Sequence, residues 1–264
     1  MRRPVAERFS VVVTVRNEER SLAALLDSLV TQEPPLEVVL VDAHSTDRTR
    51  EIARTYAERF EFLRVYEEGG TRGAGRNYGV QRSDAPYVAF IDGDCIASPF
   101  WLRNLRAATS TAEVVAGKTV SIGYKAFEAL ERVPLYYRGF DITHPSCNLA
   151  YPRERFLAIG GFDEWFTTAE DIDLNLRAVQ AGATIGFAPE AIVYNRTRGS
   201  YYDFLRQAFW NGAGRKQLTM KHGALWSSYR PSMLFRTQAS PAALLRLASA
   251  LLGYTGYRAF GRRR

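Results

Sequence analysis

An α/β fold, built on a mostly parallel sheet flanked by helices, is what the sequence predicts, and three observations predict it. Short β-branched apolar runs alternate with helix-period segments through the first 91 residues. Those runs are almost wholly apolar, as parallel strands buried on both faces must be. Each run also ends in polar residues, and ligands of such sheets bind beyond the carboxyl ends of the strands. The composition agrees: 264 residues, 46% hydrophobic and 24% charged, exclude collagen-like and disordered classes.

Phe9–Val15 (FSVVVTV) is too short for a helix and reads as a buried strand. Ser21–Leu29 follows with Leu22, Leu25, Leu26 and Leu29 at helical spacing. Glu37–Val41 is a second strand, Asp47–Phe60 a second helix, Phe62–Tyr66 a third strand and Ala74–Gln81 a helix behind a glycine-rich turn. Tyr87–Ile91 is a fourth strand running into Asp92-Gly93-Asp94. This alternation specifies right-handed βαβ units. Beyond it, Val114–Val120 and Ser146–Ala150 read as strands, and Arg153–Ile159, Glu170–Gln180 and Tyr201–Leu218 as helices. Lys125–Tyr137 reads as a helix or a connection broken by Pro134, and Ala183–Tyr194 as a strand pair, or a strand and turn, divided at Pro189.

Asp92-Gly93-Asp94 is the most informative triplet. Two carboxylates one residue apart at a strand end can hold a hard divalent cation together with diphosphate oxygens, and the glycine lets the backbone approach a ligand. A plain Asp-Gly turn fits the same residues. Asp42 ends the second strand, where its carboxylate can accept from a nucleobase N–H or serve the turn, with Asp47 or Ser45 as helix cap. Asn17 and Glu18 end the first strand, Glu18 also fitting a helix N-terminal acid. Arg72-Gly73-Ala74-Gly75-Arg76 offers amides and two guanidinium groups to phosphate. It does not follow the first strand, which argues against a dinucleotide-binding dehydrogenase. Glu170-Asp171 opens a helix behind Thr167 and Thr168, in a pattern that fits either a capping box or a general base. His44, His144 and His222 are too scattered for a metal cluster by spacing, and neither a nucleophile elbow nor a Walker A loop is present.

Taken in order, VVVTVRNEE, VDAHSTDRT, RGAGRNYG, FIDGDC, GGFDE and AEDIDL resemble a family 2 glycosyltransferase with the GT-A fold, over about Phe9 to Thr197. The resemblance implies a Rossmann-like sheet and inverting transfer of a sugar from a nucleotide-diphosphate sugar, UDP before GDP, to a hydroxyl of a glycan or lipid-linked acceptor. It implies that Val15, Arg16, Glu18 and Asp42 embrace the nucleoside and that Arg72 or Arg76 approaches the nucleotide. Asp94 and Asp92, flanking Gly93, match the family's D-x-D motif and would hold Mn2+ or Mg2+. Asp171, beside Glu170, would be the catalytic base, and Trp165 would wall the acceptor pocket. The sequence departs from the family's pattern at Asp42-Ala43-His44 and Thr14-Val15-Arg16, both at the nucleoside end.

The charge is uneven. Residues 196–264 hold 13 basic side chains and one acid, a net +12, whereas the first 195 residues hold 22 basic and 27 acidic, a net −5. Residues 1–197 therefore read as the catalytic domain, with a nucleotide-sugar half to about 95 and an acceptor half beyond. Residues 198–264 read as a helical basic extension. Pro241–Phe260 has an apolar stretch interrupted by Arg246, too short and too charged to span a bilayer. It fits a peripheral helix on an anionic membrane or a helix packed on the domain. Two cysteines and no secretory segment after Met1 place the expected protein in the cytoplasm, with peripheral contact to the inner face of the cell membrane as an extension of that reading. Two rivals of other classes remain. A catalytically silent nucleotide-sugar or glycan-binding module would bind donor without turnover. A nucleic-acid-binding protein would use the basic segment but leave the acidic strand ends without a purpose, so no nucleic acid is expected.

Overall fold

The computed structural model describes residues 7–123, 132–196, 200–223, 225 and 240–260. In chain order the elements are β1 (Phe9–Val15), α1 (Leu22–Val30), β2 (Leu36–Asp42), α2 (Thr49–Arg59), β3 (Leu63–Glu67), α3 (Arg72–Gln81) and β4 (Tyr87–Asp92). There follow β5 (Cys95–Ala97), α4 (Trp101–Ala108), β6 (Val114–Ile122), β7 (Tyr136–Tyr137), β8 (Phe140–Asp141) and β9 (Leu149–Pro152). The last are α5 (Arg153–Ala158), α6 (Glu170–Gln180), β10 (Ile185–Arg196), α7 (Tyr201–His222) and α8 (Pro241–Phe260).

Eight strands form one sheet in the order β3-β2-β1-β4-β9-β6-β10-β5. β3, β2, β1 and β4 run parallel, β9 is antiparallel to both β4 and β6, and β10 is parallel to β6 with β5 antiparallel on its far edge. The central strands are apolar on both faces because helices cover both. One core cluster packs Leu22, Leu25, Leu26 and Leu29 of α1 against β1 and β2, and another packs Phe156, Phe162 and Leu174 on the opposite side.

Register matters more than topology here. Val15 pairs with Asp42, and Thr14 pairs with Asp92. The ends of β1, β2 and β4 are therefore level, and their following loops meet at one edge.

Several expectations are adjusted. The Ala183–Tyr194 segment is not a strand pair but part of one long strand, β10, whose register with β6 shifts between Ala188 and Ile192. Pro189 lacks an N–H and is accommodated at that irregularity. Buried Asn148 fixes the bulge, donating to Ala191 O (2.9 Å) and Lys118 O (3.0 Å) while accepting from Trp101 Nε1 (2.8 Å). Ser146–Asn148 forms a 3-10 turn, and the strand begins only at Leu149. α3 starts at Arg72 because Thr71 Oγ1 caps it by accepting from Ala74 N (3.2 Å), so the expected glycine-rich turn is its first helical turn. β5 and α4 carry no sequence expectation at all. Residues 125–131 of the Lys125–Tyr137 segment lie outside the described residues, as do Thr197 and the final arginines.

The basic extension is integral to the packing. α8 crosses α7 so closely that a Cβ on Gly212 would stand 1.8 Å from Ala250 O, and one on Gly253 would stand 1.8 Å from Phe209 O. Among the described residues, no helix is long and apolar enough to cross a membrane.

Candidate active site

A cleft of about 600 Å³ opens at the level strand ends. Val15 at the end of β1, Arg16 and Glu18 from the β1–α1 loop, Arg72 from α3, Asp92 at the end of β4, and Gly93 and Asp94 just beyond it all line it. On the other side Thr119, Ser121, Pro145, Cys147, Asn195 and Arg196 complete the wall.

The nucleoside-end loops are laced to each other. Asn17, held at φ 56°, donates its backbone N–H to Ser45 Oγ (2.9 Å), and its side-chain Oδ1 accepts from Thr46 N (2.9 Å). Glu18 N donates to Thr49 Oγ1 (2.7 Å), and Asp47 accepts from Thr49 N (3.0 Å) and Glu19 N (3.2 Å). Burial opposes ionisation of Asp47, yet the Thr49 and Glu19 donors together hold its carboxyl below the ordinary value. Asp47 thus takes the capping role, while Ser45 serves the neighbouring loop. His44 (φ 55°) and Ala169 (φ 67°), just ahead of Glu170, are left-handed as well. Of the four non-glycine residues with positive φ among the described residues, three sit on loops around this site, and such strain is retained where geometry is over-determined.

Asp42 is fully buried. Its Oδ2 accepts from Ser45 N (2.9 Å), while Oδ1 has no hydrogen-bond partner. It is the sole such buried side-chain polar atom among the described residues, and its chain neighbours Val41 and Ala43 line the cleft.

Gly93 is needed for packing rather than for an unusual φ. A Cβ there would come 2.7 Å from Val15 Cγ1 and 3.1 Å from Glu18 Cγ. The glycines of α3 behave likewise, Gly79 lying against Val12 and Gly75 against Thr14, so they bring the helix onto the sheet.

Arg76 does not line the cleft. It is buried, with Nη2 donating to Asp92 Oδ1 (2.6 Å) and Nη1 to Glu170 Oε1 (2.9 Å), and its guanidinium lies 5.3 Å from the Phe162 ring centroid. Burial opposes its charge, but the two carboxylates outweigh that and hold it firmly protonated. It ties the end of β4 to the start of α6.

The expected Thr167 and Thr168 caps do not form. Thr168 Oγ1 donates to Trp210 O (2.7 Å), and Ala169 precedes the helix without a side-chain cap. Asp171 fills that role in part, accepting from Ile172 N (2.8 Å) and, across the site, from Ser146 N (3.3 Å). Ser146 lies between Pro145 and Cys147 of the cleft wall, so Asp171 sits directly behind that wall. Burial, and then the adjacent Glu170 carboxylate, push the Asp171 carboxyl up to about 6. Trp165 packs edge-on to Phe166 (5.3 Å) in a side cluster with Leu135 and Ile142, outside the cleft lining.

Sequence reasoning missed the contribution of the extension. Phe204, Gln207 and Asn211 of α7 and Arg246 of α8 line the cleft. Their signal was spacing: 204, 207, 208 and 211 share one helix face. The extension is also pinned by buried Asp173, which binds Arg177 Nε (2.8 Å), Lys221 Nζ (2.6 Å) and His222 Nε2 (2.6 Å). Burial raises the Asp173 carboxyl, but these partners prevail and hold it near 2. Cys95 and Cys147 are buried free thiols.

The glycosyl transferase family 2 sequence model matches residues 10–154, more than half of the chain, including the ends of β1, β2 and β4. The chain belongs to glycosyl transferase family 2. It is 28% identical over 225 residues to the glycosyltransferase AglE of Haloferax volcanii, covering 80% of this chain and 74% of that one. Against several other glycosyltransferase relatives it spans about half of the matched protein's length. Among solved structures, it is similar to the mannosyltransferase PcManGT from Pyrobaculum calidifontis in complex with GDP-Man and Mn2+ (TM-score 0.65, 20% identity, 98% of this chain and 77% of that). It is also similar to S. aureus TarS 1-349 in complex with UDP-GlcNAc (TM-score 0.62, 20% identity, 97% of this chain and 93% of that). The mixed sheet with helices on both faces is thus the GT-A fold, and this family 2 member is a glycosyltransferase.

Proposed function

We propose that the enzyme transfers a sugar, with inversion, from a nucleotide-diphosphate sugar to a hydroxyl of a glycan or lipid-linked acceptor, with Asp171 as base. The observation that carries this reading is the chain Asp92–Arg76–Glu170. It fixes the carboxylates of the cleft wall to the helix start that carries Asp171.

Asp94 and Asp92 are hard oxygen donors on the cleft wall, a chemistry that fits Mn2+ or Mg2+. Bound there, the cation supplies neutralisation of the charge that builds on a departing diphosphate. Arg16 and Arg72 add positive charge along the same wall, and the α3 N-terminus adds its dipole. The orphaned Oδ1 of Asp42 is an acceptor for one base N–H, which uracil N3–H or guanine N1–H supplies equally; UDP is placed before GDP on the family resemblance. With its carboxyl raised to about 6, Asp171 is ionised at neutral pH and basic enough to take a hydroxyl proton.

The test is to incubate the protein with UDP-linked and GDP-linked sugars and a panel of glycan and lipid-linked hydroxyl acceptors, to quantify released nucleoside diphosphate, and to follow the anomeric signal of the glycoside product by NMR. Release from a UDP-sugar with inverted configuration is expected. A retained configuration would remove the direct-displacement reading, and donor binding without any release would favour a silent binding module.

A further inference from the structure

α8 has two faces with different partners. Ala243, Gly253 and Tyr257 are buried, and Ser249 Oγ donates to Leu205 O of α7 (2.8 Å). On the remaining surface Leu244, Leu245, Leu247, Leu251 and Leu252 are 38–66% exposed. Positions 244, 247, 251 and 252 follow helical spacing, so these leucines make one stripe rather than scattered surface residues.

The segment that carries the stripe is cationic in sequence. Residues 204–264 contain 11 Arg and Lys and no Asp or Glu, and Arg262, Arg263 and Arg264 follow the helix in sequence after Gly261. An apolar stripe on a strongly cationic segment complements a surface that is apolar beneath and anionic above. A second copy of the chain would instead bring like charge against like. We propose that the leucine face of α8 docks the enzyme on an anionic lipid surface, with the helix lying in the interfacial plane. The same helix sends Arg246 into the cleft from its opposite side, so docking through the leucines holds the cleft one helix away from the lipid surface.

The experiment is co-sedimentation of the full chain with vesicles of phosphatidylglycerol and phosphatidylcholine, or of phosphatidylcholine alone. The wild type should pellet with the anionic vesicles, weakly with neutral ones, and less as salt rises. The variant L244Q/L251Q/L252Q should lose vesicle partitioning by roughly tenfold or more, since each leucine removes apolar surface from water on docking. A second variant guards against misfolding. Leu252→Cys carrying an environment-sensitive fluorophore should brighten on anionic vesicles, whereas the same label at Glu58→Cys on α2 should not. Equal pelleting of wild type and triple variant, or no brightening at position 252, overturns the proposal. So does a sedimentation result in which the leucine substitutions convert a dimer to a monomer and vesicles have no effect. Nucleotide-induced thermal stabilisation, measured in parallel, reports the donor site separately, so failure there leaves the docking result readable.

Discussion

Arg76→Met tests whether the buried arginine holds the site together. The substitution keeps the length of the side chain and removes a charge that two carboxylates face at 2.6 and 2.9 Å. Removing one partner of a buried ion pair typically costs about 3–5 kcal/mol. The lower end applies here, because Asp92 opens onto the cleft and water can partly solvate it while Glu170 cannot be reached so easily. With an unfolding entropy of about 2.1 cal/mol/K per residue, a chain of this length loses roughly 5 °C of Tm for about 3 kcal/mol. Differential scanning fluorimetry reads that directly. Adding Glu170→Gln to the same chain should restore part of the loss, giving a clear coupling in a double-mutant cycle. Arg76 also opposes the upward shift of Asp171, so its removal should move the acidic limb of the pH–rate profile to higher pH. A melting curve indistinguishable from wild type, with additive double-mutant behaviour and an unmoved profile, would refute the argument.

Other predictions follow from the same structure. Asp171→Asn should reduce transfer by about 10²–10⁴-fold while nucleotide binding by calorimetry is preserved, and the wild-type rate should climb through about pH 6 as the carboxyl ionises. Asp173 is depressed to about 2 in the fold, so its stabilisation is full above about pH 4 and lost as pH falls from there toward 2. Urea denaturation should show roughly 2 kcal/mol disappearing across that window, and Asp173→Asn should flatten it. Gly212→Ala places a methyl against the Ala250 carbonyl, so limited proteolysis should cut near α8 faster than in wild type, with a stability loss of about 1–3 kcal/mol.

The parallel half of the fold was legible because its signals are local. β1 matches its apolar run residue for residue, and α1, α2 and the β2 to β4 strands shift by one or two residues at their ends. Level strand ends then put Val15, Arg16, Glu18, Asp92, Gly93 and Asp94 around one cleft, as the alternation implied. What the sequence hid depends on long-range contacts. Arg76 looks like any exposed helix arginine until α6 arrives 94 residues later with Glu170. Asn148 shows no motif, yet three hydrogen bonds from distant elements make it the pin of the β10 bulge. The α7 and α8 residues of the cleft were obscured by composition, since a basic, leucine-rich segment reads as an appendage until Gly212 and Gly253 show how closely the two helices cross.

The most direct test of the account is calorimetric titration of UDP and GDP into the protein, with and without Mn2+, repeated on Asp94→Asn. The account predicts that UDP binds more tightly than GDP, that Mn2+ strengthens the binding, and that Asp94→Asn removes the metal dependence while leaving the fold intact. Nucleotide binding that ignores both Mn2+ and Asp94, or no binding of either diphosphate, would contradict it.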